Sequence, residues 1–177
     1  MGLYDPYQSK HLFLLVGTNP LPNYVAIQLL RPSEGHVYLI HTAETAGVAD
    51  LICKVARLEK GKQATLIKVD TDSASQMVST IERYAQGKAG LGLNYTGGTK
   101  RRALAAQQAI RNGAQTYKVA PIFSYLDART LQFYIEKEGN KTHILPAATA
   151  ISPSFDTLLK LHGFTVNQTP TKPMAAQ

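Results

Sequence analysis

Continuous apolar runs alternate with amphipathic stretches along the first two thirds of the chain. The apolar runs predict buried strands, and the stretches between them, with apolar residues at helical spacing, predict helices. The predicted strands are 11–16, 36–41, 64–69 and 89–94, and the predicted helices are 24–30, 42–58, 77–85 and 103–111. Because strands that alternate with helices form βαβ units, this pattern predicts a parallel sheet with right-handed crossovers.

The rhythm changes after residue 119. The runs 119–126 and 131–135 flank a short polar stretch and predict an antiparallel hairpin, 142–145 predicts another short strand and 154–162 a last helix. The predicted fold class is therefore α/β, a Rossmann-like, doubly wound, mostly parallel sheet with a C-terminal antiparallel hairpin at one edge. The predicted domains are an N-terminal arm at 1–10, one Rossmann-like domain at 11–165, and a disordered tail or linker at 166–177.

Composition narrows the choice of partner and compartment. The 177 residues carry a net charge of +7, which favours an anionic partner. The single cysteine excludes an internal disulfide and suits a reducing compartment. No apolar run approaches the roughly 20 residues of a membrane helix, and residues 1–10 lack the apolar core of a signal peptide. We therefore expect a cytoplasmic protein with no membrane association.

Two loops carry most of the candidate chemistry. The loop 17–23 follows the first predicted strand, and the loop 94–100 follows the fourth. If the strand order is 3-2-1-4, the two loops face each other at the carboxyl ends of the strands, where doubly wound folds bind ligands. The topology therefore predicts one site built from both loops.

The second loop has the composition of an anion-binding site. Gly97 and Gly98 allow close backbone approach to a ligand, and the threonines beside them can donate to phosphate oxygens. Lys100, Arg101 and Arg102 follow at the start of a helix, where each cation is unfavourable by some tenths of a kcal/mol. An anion bound at this helix N-terminus would reverse that penalty. The alternative is that the glycines form an ordinary turn and the cations a solvated surface.

Two common phosphate motifs do not fit the sequence, and its spacing indicates no Ser/His/Asp or Cys/His catalytic constellation. Gly92 and Gly97 have the spacing of a P-loop, but Gly98 stands where its lysine should be. Only Gly17 is present where a dinucleotide fingerprint needs three glycines, so no nucleotide cofactor is predicted.

Metal and duplex DNA sites are also not predicted. The five histidines include no close ligand pair. The stretch Asp70-Thr71-Asp72-Ser73 is expected to cap a helix rather than to hold a metal through its aspartates. The cations do not form a stripe along one element, which argues against a duplex DNA partner.

The segment Asn94-Tyr-Thr-Gly-Gly-Thr-Lys100 resembles the Asn-x-Thr-Gly-Gly-Thr-Lys signature of CRISPR-associated Rossmann-fold (CARF) domains. It is most similar to the sensor domains of CRISPR nucleases activated by cyclic oligoadenylates. The resemblance spans roughly residues 10–165 and is supported by Thr18-Asn19, by Thr42-Ala-Glu-Thr45 and by the closing segment 157–163.

The resemblance implies a homodimer that binds a cyclic oligoadenylate across its two-fold axis in type III CRISPR antiviral signalling, with cyclic tetra-adenylate as the expected ring. No further cofactor and no metal are implied. The ligand-binding residues expected on this basis are Gly17, Thr18, Asn19, Pro20, Leu21, Thr42, Asn94, Tyr95, Thr96, Gly97, Gly98, Thr99 and Lys100.

Three alternatives stay open at this point. The protein can be a sensor that acts through a separate effector protein. It can be a ring nuclease that cleaves the ligand without metal, with Lys100, Thr18 and Asn19 as the candidate catalytic residues. It can also be the sensor fragment of a larger nuclease, because the chain stops where a nuclease domain would begin. The sequence departs from its relatives at Arg101-Arg102, where a more apolar continuation is usual.

Overall fold

The computed structural model describes residues 2–70, 73–117, 119–137 and 141–165, which fold around a seven-stranded sheet. The strand order is β3-β2-β1-β4-β5-β6-β7. The first five strands are parallel, and β6 and β7 are antiparallel to their neighbours. The strands are β1 His11–Leu15, β2 His36–His41, β3 Ala64–Lys68, β4 Leu91–Asn94, β5 Ile122–Asp127, β6 Gln132–Lys137 and β7 Lys141–Pro146. The predicted α/β fold class, the 3-2-1-4 core and the antiparallel C-terminal edge are confirmed.

Helices cover both faces of this sheet. The α-helices are α1 Leu21–Leu30, α2 Ala46–Val55, α3 Ala74–Ala85, α4 Lys100–Ala114 and α5 Phe155–Leu161. Side chains of β1 alternate between two apolar cores: Leu12 and Leu14 pack with α1 and α2, while Phe13 and Leu15 pack with α3 and α4. The central strands are therefore buried on both faces, which explains why they form continuous apolar runs in the sequence. None of the helices in the described ranges has the length and apolar character needed to cross a membrane.

Several helices begin or end away from their predicted positions. α1 starts at Leu21 because the Asn19 side chain accepts a hydrogen bond from the Leu21 amide and Pro22 is tolerated in the first turn. α2 starts only at Ala46, because the amide of Thr42 bonds to the Thr45 hydroxyl in a separate loop. α3 is capped by Ser73, within the predicted capping stretch, although residues 71–72 of that stretch lie outside the described part.

Tyr4 attaches the N-terminal arm to the core of the domain. Tyr4 of the N-terminal arm is buried, its hydroxyl donates to the Pro146 carbonyl at 2.9 Å, and its ring packs edge-on against Phe133. Burial raises the pKa of Tyr4 to about 12. The predicted tail or linker at 166–177 lies outside the described residues.

α4 continues past its predicted end, and Gly113 lies inside it at a close contact with α3. The predicted helix ends at residue 111, because Asn112-Gly113 is a common stop signal, but α4 runs to Ala114 and Gly113 is buried inside it. A Cβ on Gly113 would lie 2.6 Å from the Ala85 Cβ and 3.0 Å from the Ala85 carbonyl carbon. The glycine therefore allows α3 and α4 to approach closely and does not terminate the helix.

We expect Gly113→Ala to destabilise the protein by about 1–3 kcal/mol, because the added methyl group overpacks the α3–α4 contact. Chemical denaturation measures this. Gly47→Ala is the matched control, since Gly47 also lies in a helix but an added Cβ would have no neighbour within 4 Å, so the substitution should be neutral or slightly stabilising. Equal effects of the two substitutions would contradict the packing explanation.

Candidate functional site

The sheet brings the two predicted loops into backbone contact at its carboxyl edge. β1 and β4 are adjacent and parallel, with Leu14 opposite Asn94. A Cβ on Gly97 would lie 2.1 Å from the Leu15 carbonyl oxygen and 2.9 Å from the Gly17 amide nitrogen. A Cβ on Gly17 would lie 3.2 Å from the Gly98 nitrogen. The predicted juxtaposition is therefore present, and it requires glycine at residue 97.

Two of the predicted ligand residues are used inside the turn itself. Asn94 is fully buried; its Nδ2 donates to the Ser124 Oγ at 3.0 Å, and its Oδ1 accepts from the Thr96 amide at 3.3 Å. The Thr96 hydroxyl oxygen accepts from the Leu126 amide at 2.8 Å. These bonds fix the turn against β5, so both side chains shape the loop from within.

The start of α4 is strongly positive. Thr99 is the N-cap, and its hydroxyl oxygen accepts from the Arg102 amide at 3.4 Å. The helix begins at Lys100, three residues before the predicted start, so all three cations lie in its first turn, which contains no acidic residue. The partial positive charge of the helix end and the side chains therefore add, and this arrangement favours a bound anion.

The loop after β1 offers exposed polar groups beside this helix start. Thr18 and Asn19 are exposed, whereas Pro20 is buried and Leu21 is half-buried. The side-chain Oδ1 of Asn19 accepts a hydrogen bond from the Leu21 amide at 3.1 Å. Thr18 and the remaining groups of Asn19 are available to a ligand at this edge.

Tyr95 is half-buried beside the turn and has an aromatic neighbour. Its ring stacks on Tyr125, with centroids 5.8 Å apart and an interplanar angle of 26°. Burial raises the pKa of Tyr95, and Glu136 adds to the effect. Sequence reasoning left Tyr125 out: strand alternation places it on the same face as the buried Phe123, and no local pattern shows that it lies partly exposed beside Tyr95.

Thr42 lies at the carboxyl end of β2 but is turned into its own loop. The residue is buried, and its hydroxyl lies 3.3 Å from that of Thr45. A depression of about 310 Å³ adjoins this loop and includes Glu44, Lys68 and Asp70. Thr42 therefore shares the sheet edge with the other predicted residues but is held by local hydrogen bonds.

Arg102 and Asn23 are buried polar residues beside the end of β1 that the list of expected ligand-binding residues left out. The Arg102 side chain is buried, only 7% of the residue is exposed, and its Nη1 donates to the Val16 carbonyl at 3.2 Å. Asn23, fully buried in α1, donates through Nδ2 to the Leu15 carbonyl at 2.9 Å. Helical spacing is the signal for Arg102, because it lies on the same stripe of α4 as the buried Ala105, Ala106 and Ala109.

The potential metal ligands among the described residues are dispersed. Within residues 2–70, 73–117, 119–137 and 141–165, no three His, Cys, Asp or Glu side chains lie close enough together to hold a metal ion. His41, at the end of β2, is buried with its Nδ1 2.9 Å from the Thr42 carbonyl. Its role in the described structure is local.

The strand order, with the loops after β1 and β4 in contact where the order reverses, defines a Rossmann-like domain with a candidate anion site at the switch point. The family described as the Card1 CARF domain matches residues 12–148, most of the chain. The chain belongs to this CARF family. Comparison with curated protein sequences finds no match.

Three solved structures share this fold. Can2 from Sulfobacillus thermosulfidooxidans, solved with cyclic tetra-adenylate, has a TM-score of 0.72 and 17% identity over 92% of this chain and 43% of its own. A type III CRISPR defence DNA nuclease activated by cyclic oligoadenylate has a TM-score of 0.56 and 20% identity over 85% of this chain and 23% of its own. Protein VC1899 from Vibrio cholerae has a TM-score of 0.58 and 13% identity over 76% of this chain and 35% of its own. The chain thus spans less than half the length of each of these structures.

We expect Gly97→Ala to separate the two loops and to lower stability by about 1–3 kcal/mol, because the methyl group would overlap the Leu15 carbonyl. Thermal unfolding measures the stability, and amide chemical shifts of Thr18 and Lys100 report the loop geometry. Gly47→Ala is again the control. Unchanged shifts at both loops would show that the backbone contact does not set their spacing.

Proposed function

We propose that the protein binds a cyclic oligoadenylate, with cyclic tetra-adenylate as the expected ring, as a sensor in type III CRISPR antiviral signalling. The observation that carries the proposal is the start of α4, where three cations occupy a first turn without any acid, directly beside the exposed loop after β1. Membership of the CARF family and the likeness to Can2, solved with cyclic tetra-adenylate, support the same ligand.

The ligand's chemistry matches the groups available at this edge. A 3′–5′ phosphate is an anion that the first-turn amides of α4, the exposed Thr99 and the exposed Lys100 can bind. Thr18 and Asn19 can contact sugar or base from the facing loop. The Tyr95–Tyr125 pair offers an aromatic surface for an adenine.

The predicted contact residues divide into two groups under this proposal. One group touches the ligand with side chains or exposed backbone, and the other shapes the loops that do so. The proposed contacts are Gly17, Thr18, Asn19, Tyr95, Gly98, Thr99 and Lys100, and the proposed shaping residues are Pro20, Leu21, Thr42, Asn94, Thr96 and Gly97.

We further propose that the ligand is bound by a homodimer through the α4 face. A ring with two-fold symmetry presents the same groups to each subunit of an isologous dimer. Leu104 lies one turn after Lys100 on the same side of α4 and is 70% exposed. A large apolar side chain beside the ligand residues is the kind of group that a dimer interface covers.

A ring-nuclease activity is the second candidate, and it would use the same residues. Metal-free cleavage needs the ribose 2′-OH to be aligned on its own phosphate and the developing charge to be stabilised. The exposed Thr18, Asn19 and Lys100 lie on the two loops that would hold that phosphate, which favours this candidate. We also propose that an effector acts with this domain, either as a separate protein or as a further domain, because this chain covers only 43% of Can2.

We expect the wild-type protein to bind cyclic tetra-adenylate and Lys100→Ala to bind it at least about tenfold more weakly, because one charge-assisted contact contributes about 1.5–3 kcal/mol. Isothermal titration calorimetry in EDTA measures both. Lys62→Ala is the matched control, since the Lys62 side chain is 75% exposed and precedes β3, at the opposite edge of the sheet. No binding of any cyclic oligoadenylate by the wild type would contradict the proposed function.

The same incubation separates sensor from nuclease. Intact ligand recovered after prolonged incubation in EDTA supports a sensor, and linear products that end in a cyclic phosphate support a ring nuclease. If products appear, Thr18→Ala should slow their formation more than it weakens binding.

We expect Leu104→Asp to convert a dimer into a monomer of 19.3 kDa, because an exposed carboxylate would have to be desolvated in the interface. Light scattering after size exclusion, with and without ligand, measures the mass. Ile144→Asp is the control, as Ile144 is 55% exposed on the edge strand β7. A wild-type protein that stays monomeric with and without ligand would refute the homodimer.

A further inference from the structure

Arg102 is the one cation of the α4 first turn that faces the protein interior. Its guanidinium lies directly beneath Gly98, because a Cβ on that glycine would be 3.2 Å from Cζ and 3.3 Å from Nε. Gly98 itself is exposed, with φ of 83°. Only a residue without a side chain therefore separates the guanidinium from the surface on which the proposed phosphate would lie.

The hydrogen bonding of Arg102 is incomplete. Nη1 donates to the Val16 carbonyl, whereas Nε is buried and has no hydrogen-bond partner. In the described part of the chain, the ion pairs are Lys60–Asp50, Lys62–Glu59 and Lys160–Asp156, and none of them involves Arg102. A buried charge without a paired carboxylate is costly, so the free protein maintains a destabilising group at this point.

The electrostatic surroundings of the guanidinium also disfavour its positive charge. Burial lowers the pKa of Arg102, and the carboxylate of Glu44 offsets this in part. Glu44 is exposed in the loop after β2, where solvent weakens its effect. Glu44 is therefore a partial counter-charge, and among the described residues no ion pair with a carboxylate completes the neutralisation of Arg102.

We infer that Arg102 is a positioning residue and buried counter-charge of the anion site, which joins the loop after β1 to the Gly98 turn and is neutralised by a phosphate of the ligand. The inference rests on the proposed function, since it assigns a role within that same site. The ligand class is a phosphodiester anion bound over Gly98. Binding would supply the negative charge that the free protein lacks.

Two substitutions separate charge from packing. Arg102→Gln keeps a donor for the Val16 carbonyl and removes the charge, whereas Arg102→Lys keeps the charge and removes the planar fork. Arg83→Gln is the matched control, because Arg83 is an exposed arginine near the end of α3. The probe is cyclic tetra-adenylate, measured by calorimetry and by the ligand-induced rise in melting temperature.

We expect Arg102→Gln to melt within a few degrees of the wild type without ligand but to bind at least about tenfold more weakly, with Arg102→Lys intermediate. Arg83→Gln should match the wild type in both measurements. The split matters because a purely structural arginine would lower free-state stability and affinity together.

The outcomes distinguish this inference from the proposed function. Wild-type binding together with undiminished binding by Arg102→Gln would overturn the role of Arg102 and leave the proposed function intact. If both the Gln and the Lys variant lose melting temperature without ligand as well as affinity, Arg102 has a packing role and the inference is overturned. If Arg102→Gln does not fold, Arg102→Met decides by the same criteria, and Arg102→Lys then tests whether charge alone restores binding. A wild type that binds no cyclic oligoadenylate would remove both proposals.

Discussion

The contact between Gly97 and the Leu15 carbonyl is the constraint on which the candidate site depends. It joins backbone to backbone, because a Cβ on Gly97 would lie 2.1 Å from that oxygen. The spacing between the loops after β1 and β4 is therefore set by main-chain packing and not by a pair of side chains that could change rotamer. Such a contact positions nearby groups with little freedom, which lowers the entropic cost of binding a ligand between the two loops.

Two polar side chains hold the end of β1 from opposite faces of the sheet. Asn23 comes from α1 and bonds the Leu15 carbonyl, whereas Arg102 comes from α4 and bonds the Val16 carbonyl. Each of them also keeps one buried polar atom without a partner, Oδ1 in Asn23 and Nε in Arg102. Native proteins keep few such atoms, so two at the end of one strand indicate a place where stability is balanced against another requirement.

The fold could be predicted from the sequence because the central strands are buried on both faces and form uninterrupted apolar runs. Helix boundaries were less predictable. α4 starts at Lys100 because Thr99 caps it, and it continues through Gly113, where Ala85 leaves no room for a side chain. A glycine that ends a helix and a glycine that admits a neighbouring helix look the same in one sequence. Only the tertiary contact separates them.

The residues of the glycine-rich segment could be located from the sequence. Which of their side chains bond within the fold and which stay exposed could not be predicted. Asn94 and Thr96 bond to Ser124 and Leu126, each 30 residues away, and no local pattern reports such partners.

The consecutive cations illustrate the same limit. Lys100 and Arg101 are exposed while Arg102 is buried, although all three share a charge and one helical turn. Rotation by about 100° per residue turns the third into the core. The first turn of α4 combines the positive end of the helix with two exposed cations and one buried cation, and it contains no acidic residue. This arrangement is electrostatically unfavourable when no anion is bound. An anion bound there would stabilise the helix end, Lys100 and Arg102 together, so the electrostatic cost of this helix start is itself the strongest physical argument for the ligand.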